Sequence, residues 1–589
     1  MYLRCNRRWK DGKEHRYWNI VESKRCAGGK VVQRQVLYLG EINDYQREAW
    51  CRVIEAFDEQ SQQRTQLALF PAQGELPEYA REYGVQVRLD RMELHRPRQW
   101  GACWLACHLY EQLKLDQFWA DRLVDSREGT CWRHILQTIV CYRLIDPGSE
   151  WRLHRQWFLN SAMGDLLDGD YSLVEKNALY RCLDKVLEHK SALFGHLKER
   201  WQDLFEAKFD VLLYDLTSTY FESDPPKNPE DKRRYGYSRD KRSDCVQVVI
   251  ALMVTPEGFP LAYEVLAGNT SDKTTLREFL HKIETQYGKA RRIWVMDRGI
   301  PTEAVLTEMR QSDPAVYYLV GTPKGRLTKL EQQLLSLPWQ AVRPGVQVKL
   351  LAQEQELYVL AQSRDRIYKE RSMRQRQLRA LVKRLKELQE MKLSSTQKLL
   401  LKLGAAKGRY PAAWRLMVIE MAESSSSFSF RLNRQKLREV RRREGRYLLR
   451  SNLCGKEPAE LWQFYIQLVE IEAAFKNLKD DLLLRPIHHQ LEHRIEAHIF
   501  IAFIAYCLHV TLHAQLRRVA GGLTPRAVLD KFAAIQMLDV QFPTTDGRTL
   551  ILSRYTQPNT DHRLLLDQLN LTLPPQPPPR FTAEGQMVH

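Results

Sequence analysis

The stretch from residue 209 to residue 320 constrains the fold most, because its hydrophobic pattern changes period several times in a fixed order. Phe209 to Phe221 is predicted as a strand. Val246 to Val254 and Phe259 to Leu266 flank a Thr-Pro-Glu-Gly turn and are predicted as a hairpin. Helical and strand patterns then alternate over Thr275 to Tyr287, Arg292 to Met296, Thr302 to Met309 and Val316 to Val320. The predicted order is strand, strand, strand, helix, strand, helix, strand.

This order of elements is that of RNase H-like folds, in which a mixed sheet carries helices on both faces. After about residue 325 the composition shifts to β-rich pieces and a strongly basic helix, predicted from Arg364 to Lys392, before strand and helix patterns return near Arg446. The sequence therefore predicts an α/β protein whose RNase H-like, mixed-sheet core is interrupted by a β-rich and helical insertion.

Six segments are predicted from these changes of pattern. A small β-containing region spans 1–60, with strands near Tyr17 to Val21 and Val31 to Leu39. A mainly helical region at 61–205 is predicted to bind DNA, with an all-helical spacer as the alternative. The remaining segments are the first part of the core at 206–324, the insertion at 325–445, the second part of the core at 446–520, and a C-terminal region at 521–589. The proline-rich tail of that last region is expected to be extended and mobile.

A large surplus of positive charge narrows the choice of partner. The chain has 90 lysine and arginine residues against 72 aspartate and glutamate residues, a net charge of +18, which favours a polyanion or an acidic membrane. The longest apolar run, Ile499 to Leu512, is shorter than the roughly 20 residues that span a bilayer. The first residues lack the apolar segment of a secretory signal. A cytoplasmic protein that does not use a membrane is therefore expected.

Two aspartates that follow apolar stretches are candidate metal ligands. Asp215 follows the run that begins at Val211, and Asp297 follows Ile293 to Met296, with Gly299 allowing a sharp turn. A carboxylate in a buried strand must be paired, hydrogen-bonded or bound to a metal. Two aspartates at the same end of neighbouring parallel strands would repel each other unless a cation lay between them, so the pair favours a divalent metal.

A third carboxylate lies in a helical stretch near residue 470. Tyr465, Glu472 and Lys479 are seven residues apart, so on one continuous helix they would share a face, with Glu472 pointing towards the metals. Glu470 and Glu496 compete for the same role. The spacing to the tyrosine and the lysine favours Glu472, because Glu470 would point away from that face.

These motifs together resemble the DDE transposases of bacterial insertion sequences. They are Asp215 in YDLTSTYF, Asp297 in VMDRG, and the spacing Y-x6-E-x6-K. The segments Gly236 to Asp272 and Arg485 to Phe503 are also similar to the group of that family with a YREK signature and a β-rich insertion. The similar stretch runs from about Val211 to Leu516, which is over half of the chain.

The resemblance implies a DNA transposase with an RNase H-like core. Asp215, Asp297 and Glu472 would be its catalytic residues and would hold two Mg²⁺ ions, for which Mn²⁺ can substitute. Tyr465 and Lys479 would position phosphates beside the scissile bond. The implied partners are the double-stranded transposon ends and target DNA, bound by a homodimer in the synaptic complex, at the nucleoid of a bacterial cell.

Further DNA contacts are predicted from basic residues near the catalytic helix and in the insertion. The arginine that the family has three residues after the tyrosine is Leu468 here, so Lys476 or Arg485 could make that contact instead. The basic helix of the insertion has an apolar stripe that begins at Leu378, and a solvated helix packed by this stripe is the alternative to a phosphate-binding face. The arginines predicted to bind DNA there are Arg371, Arg374 and Arg376.

Three functions remain open from the sequence. The first is an active transposase that cleaves at its terminal inverted repeats and joins the ends to a target. The second is a catalytically inactive, transposase-derived DNA-binding protein, and the third is an RNase H-like nuclease without strand transfer. The presence of all three carboxylates argues against the second. A zinc site among the histidines between His488 and His498 is a separate possibility, but the sequence offers no evident fourth ligand.

Overall fold

The computed structural model describes residues 2–10, 13–25, 31–41, 54–57, 64–67 and 87–582, the last range with gaps at 128, 288–291, 298, 323–329, 331–332, 335, 354, 392–395, 422–426, 454, 456 and 545. The chain divides into two units. One consists of residues 1–101 and 533–589, and the other of residues 102–532.

The N-terminal segment consists of short antiparallel sheets. Its strands are β1 (Tyr2–Lys10), β2 (Lys13–Arg25), β3 (Val31–Glu41), β4 (Ile54–Phe57), β5 (Arg64–Leu67) and β6 (Glu93–Gln99). β1, β2 and β3 form one sheet in that order, and β4 pairs with β5. Both strands predicted before residue 40 are therefore confirmed. Of the stretch 61–86, predicted to be helical, the structure describes only β5, which is a strand.

The region from Gly101 to Phe205 is helical, as predicted. Its helices are α1 (Gly101–Gln112), α2 (Leu115–Ala120), α3 (Trp132–Ile145), α4 (Glu150–Arg152), α5 (Met163–Leu166), α6 (Lys176–Val186) and α7 (Lys190–Phe205). Ile135 and Ile139 of α3 are buried, as are Leu179 and Leu183 of α6. α3 packs against α6, so the apolar positions spaced three and four apart form the core of this region.

The central sheet has the order of elements that the hydrophobic pattern predicts. The elements are β7 (Val211–Phe221), β8 (Val246–Val254), β9 (Pro260–Ala267), α8 (Asp272–Tyr287), β10 (Ile293–Met296), α9 (Glu303–Gln311) and β11 (Tyr317–Gly321). They are arranged β9-β8-β7-β10-β11. β8 is antiparallel to both of its neighbours, whereas β10 is parallel to β7 and to β11. The crossover helices α8 and α9 make this parallel pairing possible.

The insertion is less separate from the core than the sequence predicts. Its elements and the strand after it are β12 (Gln340–Arg343), β13 (Val346–Gln353), β14 (Glu356–Ser363), α10 (Arg364–Glu390), α11 (Thr396–Arg409), α12 (Pro411–Trp414), β15 (Met417–Met421), β16 (Phe428–Leu432), α13 (Arg434–Arg443) and β17 (Arg446–Ser451). The central sheet continues β11-β17-β14-β13-β12, so it has nine strands. The strands β12, β13 and β14 of the predicted insertion therefore extend the central sheet, which the sequence did not show because a short apolar strand pattern does not reveal which sheet the strand joins.

Residues 364–443, here called the excursion, pack around a core of their own between β14 and β17. Leu381, Leu385 and Leu388 of α10 are buried in it, which confirms the predicted leucine stripe, and Leu378 packs on its edge. Leu403 of α11 and other apolar side chains complete this core. The excursion is therefore held together by its own apolar contacts.

A long buried helix supports the central sheet. The elements after β17 are α14 (Pro458–Ile466), α15 (Leu468–Lys476), a π-helical turn (Asn477–Asp481), α16 (Glu492–Val519) and α17 (Pro525–Phe532). By length and composition α16 could cross a membrane, but 94% of its apolar window is buried inside the fold. It packs on α3 and α6, and the ring of Phe503 lies 4.9 Å from that of Tyr263 on β9. α16 is therefore a core helix of this unit.

The C-terminal segment pairs with a strand from much earlier in the chain. Its elements are β18 (Gln536–Pro543), β19 (Thr549–Tyr555), α18 (Thr560–Gln568) and β20 (Arg580–Phe581). The sheet order is β20-β19-β18-β6, so Glu93–Gln99 is an edge strand, although it was predicted within a helical region. β6 contains Pro97, which an edge strand tolerates. Arg98 pairs with Asp539 across the strands at 3.0 Å, with both side chains buried.

The proline-rich tail is extended but docked along β19, so the prediction that it is mobile is wrong for the part that the structure describes. The hydroxyl of Tyr555 donates to the carbonyl oxygen of Pro574. The side-chain amide of Gln576 donates to the Tyr555 carbonyl oxygen and accepts from its N–H, both at 3.0 Å. These bonds imitate strand pairing, a tertiary effect that the proline content does not reveal.

Candidate functional site

The first two predicted carboxylates lie side by side on neighbouring parallel strands. In the pairing of β10 with β7, Met296 lies opposite Tyr214. Asp297 and Asp215 are the next residues along the chain after this pair. Because neighbouring strands are about 4.8 Å apart, the backbones of these two aspartates approach closely. The structure thus confirms that Asp215 and Asp297 are brought together.

The prediction that both aspartates end their strands is half right. β10 ends at Met296, directly before Asp297, and Gly299 follows with a φ of +97°, a conformation that glycine adopts without strain. Asp215 instead lies inside β7, which continues to Phe221 through pairing with β8. β10 therefore ends at a level where β7 continues. A hydrophobic pattern in the sequence describes each strand separately, so it does not show where one strand ends beside the other.

Asp215 faces the side of the sheet opposite to α8. The Tyr214 hydroxyl donates to Thr275 of α8 at 3.0 Å, so Tyr214 points to the α8 face and Asp215 to the opposite one. Asp215 is paired across the strands with Leu252 of β8, and α15 packs against both β7 and β8. The helix that carries the third candidate therefore lies over the strand that carries the first.

Glu472 is on the exposed side of α15. Ile471, Ala474 and Phe475 are buried and fix the helix on the sheet, while Glu472 is exposed to solvent. The exposed side chains of Glu472 and Asp297 and the half-buried side chain of Asp215 give an open, acidic site.

The competing glutamates are both engaged in ion pairs elsewhere. Glu470 pairs with Arg517 of α16 at 2.8 Å. Glu496 pairs with Lys190 at 3.1 Å and lies 3.5 Å from a second lysine. Across the part of the chain that the structure describes, Glu472 has no ion pair within 4.0 Å. Of the three glutamates, Glu472 is thus the one without an ion pair in the described residues, and its role as a ligand stays a prediction.

The helical face shared by Tyr465, Glu472 and Lys479 is interrupted, so this prediction is corrected. α14 ends at Ile466, α15 begins at Leu468, and residues 477–481 form a π-helical turn. The Glu470 N–H donates to the Gln467 carbonyl oxygen, a tighter bond than in an α-helix. The tight turn at Gln467 and the π-helical turn rotate the chain by a different angle per residue than an α-helix does. A spacing of seven residues therefore does not keep these three side chains on one face.

Lys479 is buried and paired with a carboxylate, whereas the sequence predicts that it extends towards DNA. Its Nζ lies 2.9 Å from Oδ1 of Asp240, in the loop between β7 and β8. Arg485 contacts the same oxygen and also donates to Asp480 at 2.9 Å. Burial lowers the pKa of Lys479, and the hydrogen bond to Asp240 opposes this effect. Two cations thus share one aspartate next to the acidic site.

Lys476 and Tyr465 occupy different environments on the same segment. Lys476 is exposed in the last turn of α15. Tyr465 is half-buried, and its ring centroid lies 5.8 Å from that of Tyr447 on β17. Tyr447 in turn stacks under the guanidinium of Arg366, at the start of the excursion. An aromatic and cationic chain therefore links the candidate site to the excursion.

The three arginines predicted to bind DNA on α10 do not form one exposed face. Arg371 and Arg376 are exposed, but Arg374 is largely buried and its Nε contacts Oε1 of Glu444 at 2.5 Å. Arg371 lies 3.7 Å from the other oxygen of Glu444. Arg374 is thus directed into the protein, because a glutamate 70 positions away in the sequence neutralises it.

A second cluster combines two histidines with a glutamate that the sequence did not suggest. Within the described residues, one group of three potential ligands has its ligand atoms within 4.8 Å of one another, and it consists of Glu150, His489 and His498. Asp215, Asp297 and Glu472 do not approach that closely. Glu150 is 339 positions from His489, so no local motif could have indicated it. Of the two other histidines in the predicted zinc stretch, His488 and His493, the second pairs with Asp184 instead.

The guanidinium of Arg143 lies within this second cluster. Its Nη2 is 4.0 Å from Oε1 of Glu150 and 3.4 Å from Nδ1 of His498. Burial and the nearby Arg143 lower the pKa of His498 to about 4, so this imidazole is neutral at pH 7. Burial works to raise the pKa of Glu150, but its hydrogen bond with His489 and the neighbouring His498 outweigh burial and hold that pKa well below its usual range. The arginine supplies the positive charge that a metal would supply, so the cluster fits a buried ion-pair network.

The donor set of the open site fits a divalent metal better. Its candidates are three carboxylates, which offer the hard oxygen ligands that Mg²⁺ and Mn²⁺ prefer. The exposure of Asp297 and Glu472 leaves room for water and substrate oxygens in the remaining coordination positions.

Comparison with known proteins gives two family matches. A family model described as a transposase DDE domain matches residues 207–508, and a second one, the N-terminal domain of IS1634 family transposases, matches residues 3–68. No curated protein matches the chain. Among solved structures, the synaptic complex of the piggyBac transposase with hairpin DNA is similar with 7% identity and a TM-score of 0.34, covering 73% of this chain and 77% of that chain. At that TM-score the structural likeness carries no argument.

Proposed function

We propose a specific reaction for this chain, which belongs to the DDE transposases of insertion sequences and is therefore a metal-dependent DNA transposase. It binds the terminal inverted repeats of its element, cleaves the DNA at both ends, and joins the freed 3′-OH groups to target DNA. The observation that carries this proposal is the strand register that sets Asp297 beside Asp215, under the helix that bears Glu472.

Asp215, Asp297 and Glu472 act in this reaction as the metal ligands. They would hold two Mg²⁺ ions, or Mn²⁺ in their place. When bound, the metal supplies charge to the attacking and leaving oxygens of the scissile phosphodiester. The strands hold the first two carboxylates, and α15, which packs on β7 and β8, would supply the third. A rigid backbone beneath all three suits a site that must keep its ligands in place while DNA enters and leaves.

Basic and aromatic residues near Glu472 orient the DNA. Lys476 is exposed one turn after Glu472, so it contacts a phosphate beside the scissile bond. Tyr465 contacts the bound DNA strand from the side of the excursion. Lys479 exchanges its present partner Asp240 for a phosphate oxygen, and Arg485 remains to neutralise Asp240. In this way Arg485 helps to compensate for Leu468, which stands where the family has arginine.

The catalytic part is proposed to be an RNase H-like core. This assignment is supported by the strand order β9-β8-β7-β10-β11, with the second of these strands antiparallel and two crossover helices. The helical region before it is proposed to recognise the ends. The protein is proposed to act as a homodimer in the synaptic complex, since two ends must be cut together, and to work in the bacterial cytoplasm at the nucleoid.

The proposal is tested with a supercoiled plasmid that carries the inverted repeats flanking the reading frame. In Mg²⁺ or Mn²⁺ the protein should nick the repeat ends and join them to a second DNA, and EDTA should abolish both steps. Asp297→Asn removes one metal-binding charge at nearly constant shape. It should lower cleavage by at least about 10³-fold and leave DNA binding intact, since several kcal/mol of metal-based stabilisation are lost.

Three results would contradict parts of this proposal. Normal cleavage by Asp297→Asn would remove that residue from the site. Binding without any cleavage by the wild type, at every metal tested, would indicate an inactive DNA-binding descendant. Cleavage that never yields joined products would indicate a nuclease without strand transfer.

A further inference from the structure

Helix α13 of the excursion is unusually basic and has no buried side chain. Six of its ten residues are arginine or lysine, and Glu439 is the one acidic residue. None of the ten is buried. A surface helix normally has one apolar face packed on the protein, so the stability of this one depends on its ends. The side chain of Asn433 caps its first turn by accepting from the Lys436 N–H at 3.0 Å.

Four of these arginines form a stripe along one side of the helix. At about 100° per residue, Arg434, Arg438, Arg441 and Arg442 fall within an arc of about 100°. All four are exposed, and none has an ion pair within 4.0 Å in the described part of the chain. From Arg434 to Arg442 the stripe is about 12 Å long at 1.5 Å per residue. We call these four residues the α13 stripe.

The α13 stripe differs from the arginines of α10, although both helices belong to the excursion. Glu444, directly after α13, pairs with Arg371 and Arg374 of α10 and neutralises part of their charge. The stripe has no such partner, and Arg434 and Arg438 repel each other as like charges four positions apart. Because this repulsion destabilises the helix, a polyanion that binds along the stripe would stabilise it.

We propose that the α13 stripe binds the phosphate backbone of duplex DNA without regard to sequence. This inference rests on the proposed function in taking DNA as the partner, and it adds a second contact surface outside the catalytic site. Guanidinium groups match the geometry of phosphate, and a 12 Å line of them spans several phosphates of a duplex, which carries one charge per about 1.7 Å of its axis. An anionic membrane fits less well, because an interfacial helix needs a broad apolar face and α13 has no such face.

The test is the salt dependence of binding to a duplex of about 40 base pairs that lacks the repeat sequence. In the full-length protein all four arginines of the stripe are changed to glutamine. If each neutralises one phosphate, the slope of log K against log salt should become less steep by about 3 to 4, since each contact contributes about 0.9. The dissociation constant near 0.15 M salt should rise at least about 10²-fold.

Matched variants separate the position of the charge from its amount. Changing Lys383, Lys386, Lys407 and Arg409 to glutamine removes four exposed charges elsewhere in the excursion and should alter the slope by less than about 1. Changing the four stripe residues to lysine should preserve the slope, because counterion release depends on charge. Thermal unfolding checks that each variant is folded, and relief of repulsion in α13 predicts no loss of stability.

The outcomes distinguish this inference from the proposed function. Equal slopes for the wild type and the glutamine variant of the stripe, with metal-dependent cleavage intact, would overturn the stripe and leave the transposase proposal standing. A wild-type slope near zero would overturn both. Loss of binding to phosphatidylserine vesicles in the stripe variant, with DNA binding unchanged, would assign the stripe to a membrane and overturn the DNA proposal.

Discussion

The open acidic site and the buried cluster of Glu150, His489, His498 and Arg143 each gather polar side chains from distant parts of the chain, yet they differ in charge balance. The open site has three acidic candidates, two of which, Asp297 and Glu472, are exposed. In the cluster, Glu150 is 8% exposed and Arg143 2%, so a buried cation accompanies the buried anion. The open site has to attract positive charge from outside, whereas the cluster already contains it.

The difference teaches that closeness of ligand atoms alone does not identify a metal site. The cluster has the shorter distances, with His489 Nε2 at 3.3 Å from Oε1 of Glu150. The charge of its carboxylate, however, is already balanced by Arg143. Breaking a satisfied buried pair costs stability, while removing a ligand from an open site costs activity. This contrast can be tested by measuring both quantities on variants of each region.

The largest expected effect is on cleavage by the open site. Glu472→Gln should reduce nicking of plasmid ends in Mg²⁺ by at least about 10³-fold, because a metal ligand contributes several kcal/mol and each 1.36 kcal/mol is tenfold in rate. Glu470→Gln is the matched control, since it removes the same charge two residues earlier and breaks only the pair with Arg517. An inactive Glu470→Gln beside an active Glu472→Gln would show that the wrong carboxylate has been assigned.

The next effect is on the stability of the cluster. Glu150→Gln leaves Arg143 as a buried charge without a charged partner, so the free energy of unfolding in urea should fall by about 3 to 5 kcal/mol. Folded Glu150→Gln protein should still cleave. Glu492→Gln, which breaks a more exposed pair with Lys232, should cost at most about 1 kcal/mol. A Glu150→Gln protein that is stable but inactive would place the cluster in the catalytic machinery. The two regions would then no longer differ in function.

Lys479 combines features of both regions. It forms a buried ion pair with Asp240, and it lies in the turn after the helix that carries Glu472. Lys479→Ala should weaken binding of end DNA by about tenfold, equivalent to about 1.4 kcal/mol for one lost phosphate contact. Mn²⁺ should not restore it, because no metal ligand is removed. Asp240→Asn frees the same lysine from its carboxylate and should leave end binding equal or tighter. Weaker binding by Asp240→Asn, in a gel-shift titration, would make the pair purely structural.

The smallest effect near neutral pH, one that grows as the solution is acidified, is the acid sensitivity of the buried histidines. Burial lowers the pKa values of His498 and His509 to about 4, below the value of about 6.5 in the unfolded chain. The unfolded state therefore binds more protons between pH 6.5 and 4, so stability falls as the pH falls, by up to about 1.4 kcal/mol per pH unit for each histidine. His509→Phe should make the fall of unfolding free energy shallower by one proton. Equal slopes in both proteins would refute the assignment.

Local patterns predicted the strands and helices from β7 to β11 well, because each element keeps one hydrophobic period along its length. Glu472 was preferred to Glu470 from the spacing alone, and this choice stays a prediction. The features that the sequence did not predict depend on contacts between residues that are far apart in the chain. The pairing of β6 with β18 and the meeting of Glu150 with His489 each join positions more than 300 apart. The interruption at Gln467 depends on hydrogen bonds that a helical period does not encode.

The excursion leaves the sheet and returns to it at almost the same point. It begins after Ser363 on β14, and Gln362 of that strand lies opposite Arg446, where β17 begins. The Ser363 N–H donates to the Gly445 carbonyl oxygen at 3.0 Å, as across the mouth of a hairpin. Because the cost of closing a loop grows only with the logarithm of its length, a segment with such ends can be lengthened, shortened or exchanged while the strands stay paired. The excursion is in this sense an exchangeable unit, which can vary while the nine-stranded sheet is kept.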